Sequence, residues 1–134
     1  MFFRSRNGAA IAALCLCLFA VLGCGPKGPT MVPVSGNVTL DEKPLAEGTI
    51  YFKTVQTGAS DPLPIKQGKY EGKVSEGERR VEITAYRTKV VGTDKMKGEV
   101  QEALISSKFN SESKLTAKVV SDGKNTFDFA VTGR

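Results

Sequence analysis

The stretch Arg79-Arg80-Val81-Glu82-Ile83-Thr84-Ala85-Tyr86-Arg87 decides the fold. Val81, Ile83 and Ala85 fall on one side of an extended chain, and Arg80, Glu82, Thr84 and Tyr86 on the other. Successive side chains of a strand point to opposite faces, so the alternation predicts a strand with one face on a core and one in water. The same period of two recurs on both sides of this stretch. Upstream, Val34, Gly36, Val38 and Leu40 alternate with Ser35, Asn37 and Thr39, and Ile50 and Phe52 alternate with Thr49, Tyr51 and Lys53. Downstream, Leu115, Ala117 and Val119 alternate with Thr116 and Lys118, and Phe127, Phe129 and Val131 with Thr126, Asp128 and Ala130.

Turn residues punctuate these runs. Asp41-Glu42-Lys43-Pro44, Ser75-Glu76-Gly77-Glu78 and Ser121-Asp122-Gly123-Lys124-Asn125 each read as a reversal. Gln67-Gly68, between Pro64-Ile65-Lys66 and Lys69-Tyr70-Glu71, reads as a two-residue hairpin turn. Residues 54–63, with Gly58, Ser60, Asp61 and Pro62, read as a loop. No stretch of the domain carries an amphipathic helix period. Half-buried strands must cover their apolar faces with a second layer, so the expected fold is all-β: an antiparallel Ig-like or transthyretin-like β-sandwich of about seven strands over residues 34–134. Val81, Ile83, Phe127 and Phe129 are its expected core, and full burial of Phe127 would make Phe127→Ala cost roughly 3–5 kcal/mol.

One stretch breaks the pattern. Thr88–Ala103 is polar and holds Gly92, Gly98 and the charges Lys89, Asp94, Lys95, Lys97 and Glu99. It reads as a long connection, which is either a partner-binding loop or a disordered insertion.

The N-terminus reads as an address. Met1–Arg6 holds two arginines and no acid, and Ala9–Leu22 is an unbroken apolar run. A basic start followed by an apolar run of that length fits a secretory signal peptide and is short for a transmembrane helix. It ends in Val21-Leu22-Gly23-Cys24, which resembles the bacterial lipobox. That resemblance implies cleavage between Gly23 and Cys24, acyl chains on Cys24, and attachment to a membrane of the cell envelope. Two or three acyl chains, at about 0.8 kcal/mol per buried methylene, anchor stably where one does not. The same resemblance implies the outer membrane over the inner, since Gly25 stands where the inner-membrane retention signal of enteric lipoproteins has an aspartate. Cys15 and Cys17 lie inside the leader and Cys24 is the one cysteine beyond it, so the exported chain has no pair for an internal disulfide. Residues 24–33, rich in glycine and proline, read as a flexible tether.

Composition narrows the function. Removing Arg4 and Arg6 from the 19 basic residues leaves 17 against 14 acidic ones, a balance of about +3. The charges are interspersed, as in Glu76-Gly77-Glu78-Arg79-Arg80, without the basic stripe and stacking aromatics of a nucleic-acid binder. There is no histidine, the commonest general base and metal ligand. No cofactor and no metal site is expected. Three weaker patterns remain: Ser107 beside Lys108 as a Ser–Lys pair, Asp41, Glu42 and Glu47 as a carboxylate group near one turn, and Tyr51, Tyr70 and Tyr86 as a glycan-binding face. Adjacent strand residues point apart, the carboxylates lack a recognised calcium-loop spacing, and tyrosine is simply favoured in strands.

Four stretches together carry a family resemblance: Val32–Leu45; Glu47-Gly48-Thr49-Ile50-Tyr51-Phe52; Gly68-Lys69-Tyr70 with Arg80-Val81-Glu82-Ile83; and Lys108-Phe109-Asn110 with Leu115-Thr116-Ala117 and Asn125-Thr126-Phe127-Asp128-Phe129. The chain resembles the small secreted lipoproteins of planctomycete bacteria that carry a transthyretin-like or carboxypeptidase-regulatory-like β-sandwich. It departs from them at Glu42, where such turns usually hold glycine, at Gln67, where Asp or Asn is usual, and at Ser106-Ser107, in place of Pro-Ala. The resemblance implies the fold and no enzymatic activity. The expected function is a non-catalytic binding or structural module held to the membrane through Cys24, with an envelope protein or glycan as partner. The alternative is a small envelope hydrolase.

Overall fold

The computed structural model describes Gly23 and residues 25–134. Residues 1–22 and Cys24, which carry the lipidation site and all but the last residue of the signal sequence read there, lie outside the described residues. The fold is all-β and sandwich-like. Strand β1 (Met31–Leu40) is followed by the two-residue β2 (Lys43–Pro44), then β3 (Glu47–Thr54), β4 (Ser60–Lys66), β5 (Lys69–Ser75) and β6 (Gly77–Thr84). A hairpin of β7 (Tyr86–Thr93) and β8 (Met96–Ala103) comes next, then a 3₁₀ turn at Ser107–Phe109, β9 (Leu115–Val119) and β10 (Phe129–Val131).

One curled sheet runs in the order β10-β1-β5-β4-β3-β6-β9, with β2 beside β1. Its pairings are antiparallel except β1 with β10. β4 and β5 meet in the ladder only at Lys66 and Lys69. Past that pair the ladder ends, though Leu63 of β4 still lies against Gly72 of β5, and the curled sheet closes around a sandwich-like interior. The core fills that interior: Val32, Val34, Val38, Leu45, Ile50, Phe52, Ile65, Tyr70, Val74, Val81, Ile83, Ile105, Ala117, Val119 and Val131 are buried. These include the inward positions expected of β1, β3, β6 and β9, apart from the half-buried Leu115 and Leu40.

The turns bear out their chemistry. Gln67 and Gly68 both take positive φ, 51° and 75°, as a two-residue hairpin turn that matches strand twist requires. Asp41 and Glu42 do the same at 49° and 68° between β1 and β2, so Glu42 holds a left-handed conformation that favours glycine. The C-terminal segment crosses to the far edge of the sheet and lies along β1. Ser35 donates to the Asn125 carbonyl and Phe127 to the Ser35 carbonyl, each at 3.0 Å. Gly36 lets this segment come close, since a Cβ there would stand 1.8 Å from the Phe127 oxygen.

Five expectations need correction. β1 begins at Met31, with Val32 buried, so the strand takes three residues read as tether. β4 begins at Ser60 within the stretch read as loop. Phe127 and Phe129 are half-buried and pack against the core from outside, while Phe52 fills its centre. Glu82 points away from the core yet is buried, because Lys53 and Arg80 close over its carboxylate on the outer face. The fifth is Thr88–Ala103: the polar stretch is a regular antiparallel hairpin, paired from Tyr86–Ala103 out to Thr93–Met96.

Candidate functional site

The three weaker patterns come apart in the fold. Ser107 Oγ donates to Glu112 Oε2 at 2.8 Å, while Lys108 Nζ sits 4.9 Å from the Phe109 ring centroid, so serine and lysine serve separate neighbours. Asp41 Oδ1 accepts the Gly133 N–H at 3.1 Å and braces the C-terminus. Among the described residues no group of three or more His, Cys, Asp or Glu could hold a metal. Tyr70 is buried, its ring 5.9 Å from that of Phe52, and its hydroxyl donates to the Phe127 carbonyl at 2.6 Å. Burial, and secondarily the Asp128 carboxylate, push its phenol well above the ordinary range against the opposing pull of that hydrogen bond. Tyr70 is thus a core residue, and the three tyrosines share no surface.

Buried polarity elsewhere is spent on holding corners together. The Arg79 guanidinium donates to the Ser75 carbonyl at 2.9 Å, to the Glu76 carbonyl at 2.5 Å and to the Thr54 hydroxyl. Asp61 Oδ2 accepts from both the amide and the hydroxyl of Ser75, each at 2.8 Å, and so ties β4 to β5 where their ladder has ended. Asn125 fastens the turn after β9 by accepting from the Val120 amide and donating to its carbonyl. Among the described residues, no buried side-chain nitrogen or oxygen lacks a partner.

The β7–β8 hairpin is different. It forms its own two-stranded sheet, and every residue of β7 and most of β8 is exposed. Ala85 and Leu104 close its base, with Leu104 N–H donating to the Ala85 carbonyl at 2.9 Å. Beyond that base the ribbon is held by its own ladder and a few cross-strand contacts. Arg87 Nε donates to Glu102 Oε2 at 2.6 Å, and Gln101 Nε2 to Thr88 Oγ1 at 3.0 Å. The hydrogen bond from Arg87 holds the Glu102 carboxyl below its usual range. Near the tip Gly92 is indispensable: its φ is 112°, and a Cβ there would stand 1.9 Å from the Met96 carbonyl oxygen.

All five charged residues expected to mark a partner-binding loop lie on this hairpin. Lys89 stands opposite Val100, Glu99 opposite Val90 and Lys97 opposite Gly92, while Asp94 and Lys95 make the two-residue turn. Lys97 Nζ lies a loose 3.7 Å from Asp94 Oδ1. Sequence reading missed the apolar component. Val90, Val91, Met96 and Val100 are 60%, 40%, 82% and 43% exposed, so two-fifths or more of each side chain that belongs in a core faces water. Their spacing hid them, because Val90 and Val91 are neighbours and lie on opposite faces of the ribbon.

No helix among the described residues is long and apolar enough to cross a membrane. Comparison with protein-family models, with curated proteins and with solved structures finds no match to this chain.

Proposed function

We propose that this chain is an envelope module that binds rather than catalyses, tethered by lipid on Cys24, with the β7–β8 hairpin as its contact element. The observation that carries the reading is the hairpin itself. An isolated two-stranded ribbon is marginal in water, and unpaired strand edges are normally blunted or covered. Among the described residues this one keeps both edges free and its valines exposed, on a body whose buried polar groups there are all satisfied. Binding elements gather on such projections from a rigid scaffold. The tether reading draws on the leader and on Val21-Leu22-Gly23-Cys24. Residues 25–30, exposed and without regular structure, would set the body up to roughly 20 Å from the anchor.

Two measurements test it. Labelling cells with a palmitate analogue should mark the wild-type chain and not Cys24→Ala; equal labelling of both removes the tether. Replacing residues 88–101 by an Asn-Gly turn keeps Arg87 and Glu102 paired at the base and should leave a folded body. Capture from envelope extracts should then lose partners that the full chain retains. Identical partner sets would reject the hairpin as the contact element.

A further inference from the structure

Residues 96–100 of β8 read Met-Lys-Gly-Glu-Val, an apolar residue and a cation, then glycine, then an anion and an apolar residue. The order is self-complementary about Gly98. If two β8 strands lie antiparallel with Gly98 facing Gly98, Lys97 of each meets Glu99 of the other, and Met96 of each meets Val100 of the other. We propose that the free edge of β8 pairs with β8 of a second copy of this chain, in that register, to form a closed two-fold dimer. This names the occupant of the contact element and rests on the reading of the hairpin as one.

The geometry of the ribbon supports the register. Residues directly opposite on paired strands share a face. Val91 faces Gly98, Lys89 faces Val100 and Thr93 faces Met96, so Val91, Val100 and Met96 lie on one face of the hairpin, with Lys89 and Thr93 at its β7 rim. Lys97 and Glu99 lie on the other, opposite Gly92 and Val90. Pairing about Gly98 therefore gathers Val91, Met96 and Val100 from both copies into one apolar patch around the glycine pair. On the reverse face it sets two Lys–Glu pairs side by side. Among the described residues Glu99 makes no ion pair within its own chain, and Lys97 has only the 3.7 Å contact with Asp94. Opposite charges directly across a strand pair stabilise it and like charges oppose it. The other free edge does not match itself: β7 carries Arg87 and Lys89 and no acid.

Pairing also addresses the weakness of the hairpin. Two ribbons joined edge to edge exceed the roughly three strands that independent stability needs. Because the same patch is used on both copies, the contact closes and leaves no growing end at β8. Lipid tethers would hold both copies on one membrane and raise their effective concentration.

Gly98 gives the test. Nothing lies within 4 Å of a Cβ built there, so a cysteine fits. Across the two-fold, antiparallel Cα atoms stand about 4.5–5.5 Å apart, inside the range a disulfide spans. The full-length chain carrying Gly98→Cys should form a disulfide dimer in oxidised membranes, seen at doubled mass on a non-reducing gel. Wild type, which retains Cys24, and Thr88→Cys should not. Adding Lys97→Glu should cut the cross-linked fraction at least tenfold, by setting carboxylate against carboxylate twice. Adding Glu99→Lys as well should restore it. A Gly98→Cys chain that cross-links no better than Thr88→Cys overturns the dimer, as does cross-linking indifferent to Lys97→Glu. If in that case capture from extracts still depends on the hairpin, the contact element survives and its occupant is another protein. If capture is indifferent too, both readings fall.

Discussion

β6 and β7 are consecutive strands of eight residues each, separated by Ala85, yet they have opposite surroundings. β6 buries Arg79, Val81, Glu82 and Ile83, whereas β7 buries nothing. β6 pairs with β3 on one side and β9 on the other, whereas among the described residues β7 pairs with β8 alone. The contrast teaches that period-two alternation is the imprint of a single buried face, and strand geometry by itself does not produce it. Where a core selects every second residue, as at Val81, Ile83 and Ala85, the strand is legible. Where no face is selected, Val90 and Val91 stand side by side and the same backbone reads as loop.

The largest effect separates the two regions directly. Phe52 is fully buried at the centre of the core, and Phe52→Ala should cost about 3–5 kcal/mol. Phe127 is half-buried, so Phe127→Ala should cost less, about 1–3 kcal/mol. Val90 is 60% exposed, and Val90→Ala should stay within about 0.5 kcal/mol of wild type. Chemical denaturation of the three proteins ranks them. A Val90 effect as large as that of Phe127 would mean that the hairpin packs on the body, and the contrast would collapse.

Glu82 sharpens the comparison from the other side. Its carboxylate takes Lys53 Nζ at 2.5 Å and the Arg80 guanidinium, and only 8% of its side chain is exposed. The neutral Glu82→Gln should cost about 1–2 kcal/mol, below the full value of a buried charged bond because Lys53 and Arg80 can rehydrate. Denaturant midpoints compared at low and high salt would measure it. A cost that disappears in salt would place the group in water. Glu82 also marks the limit of reading the body from sequence. Alternation correctly turned it outward, but nothing in the order of residues says that Lys53, a neighbour from β3, folds across it.

At the turn between β1 and β2 the expected effect is smaller and opposite in sign. Glu42 has a φ of 68°, which costs a side-chain-bearing residue roughly 1–2 kcal/mol. Glycine removes that strain and gives back about 0.5–1 kcal/mol in unfolded-state freedom. Glu42→Gly should therefore stabilise by about 0.5–1 kcal/mol, and a loss on thermal unfolding would show that the Glu42 side chain makes a compensating contact. Sequence reading found this position, since glycine is the residue such a turn asks for, and the turns at Gln67-Gly68 and Ser121–Asn125 were legible for the same reason. The hairpin itself was only half legible. Charge placed Lys89, Asp94, Lys95, Lys97 and Glu99 on one segment, but the pairing that sets Lys97 and Glu99 on one face and Met96 and Val100 on the other appears only once strand register is known.

The smallest effect belongs to the hairpin's own ion pair. Arg87 donates to Glu102 at 2.6 Å with both side chains well exposed, 61% and 38%. The carboxyl is held below its usual range chiefly by that hydrogen bond. A depressed carboxylate contributes stability above its unfolded pKa and loses it as pH falls through the folded one, so the sign is stabilising at neutral pH and lost in acid. In water such exposed pairs contribute little, and salt screens them. NMR titration should therefore show Glu102 protonating at lower pH than an ordinary glutamate, with Arg87→Ala returning it to the usual range. The unfolding midpoint of the body should not move between the two proteins. A midpoint that did follow Glu102 would show that the ribbon and the body unfold as one cooperative unit, and the hairpin could then no longer be treated as an appendage on an independent scaffold.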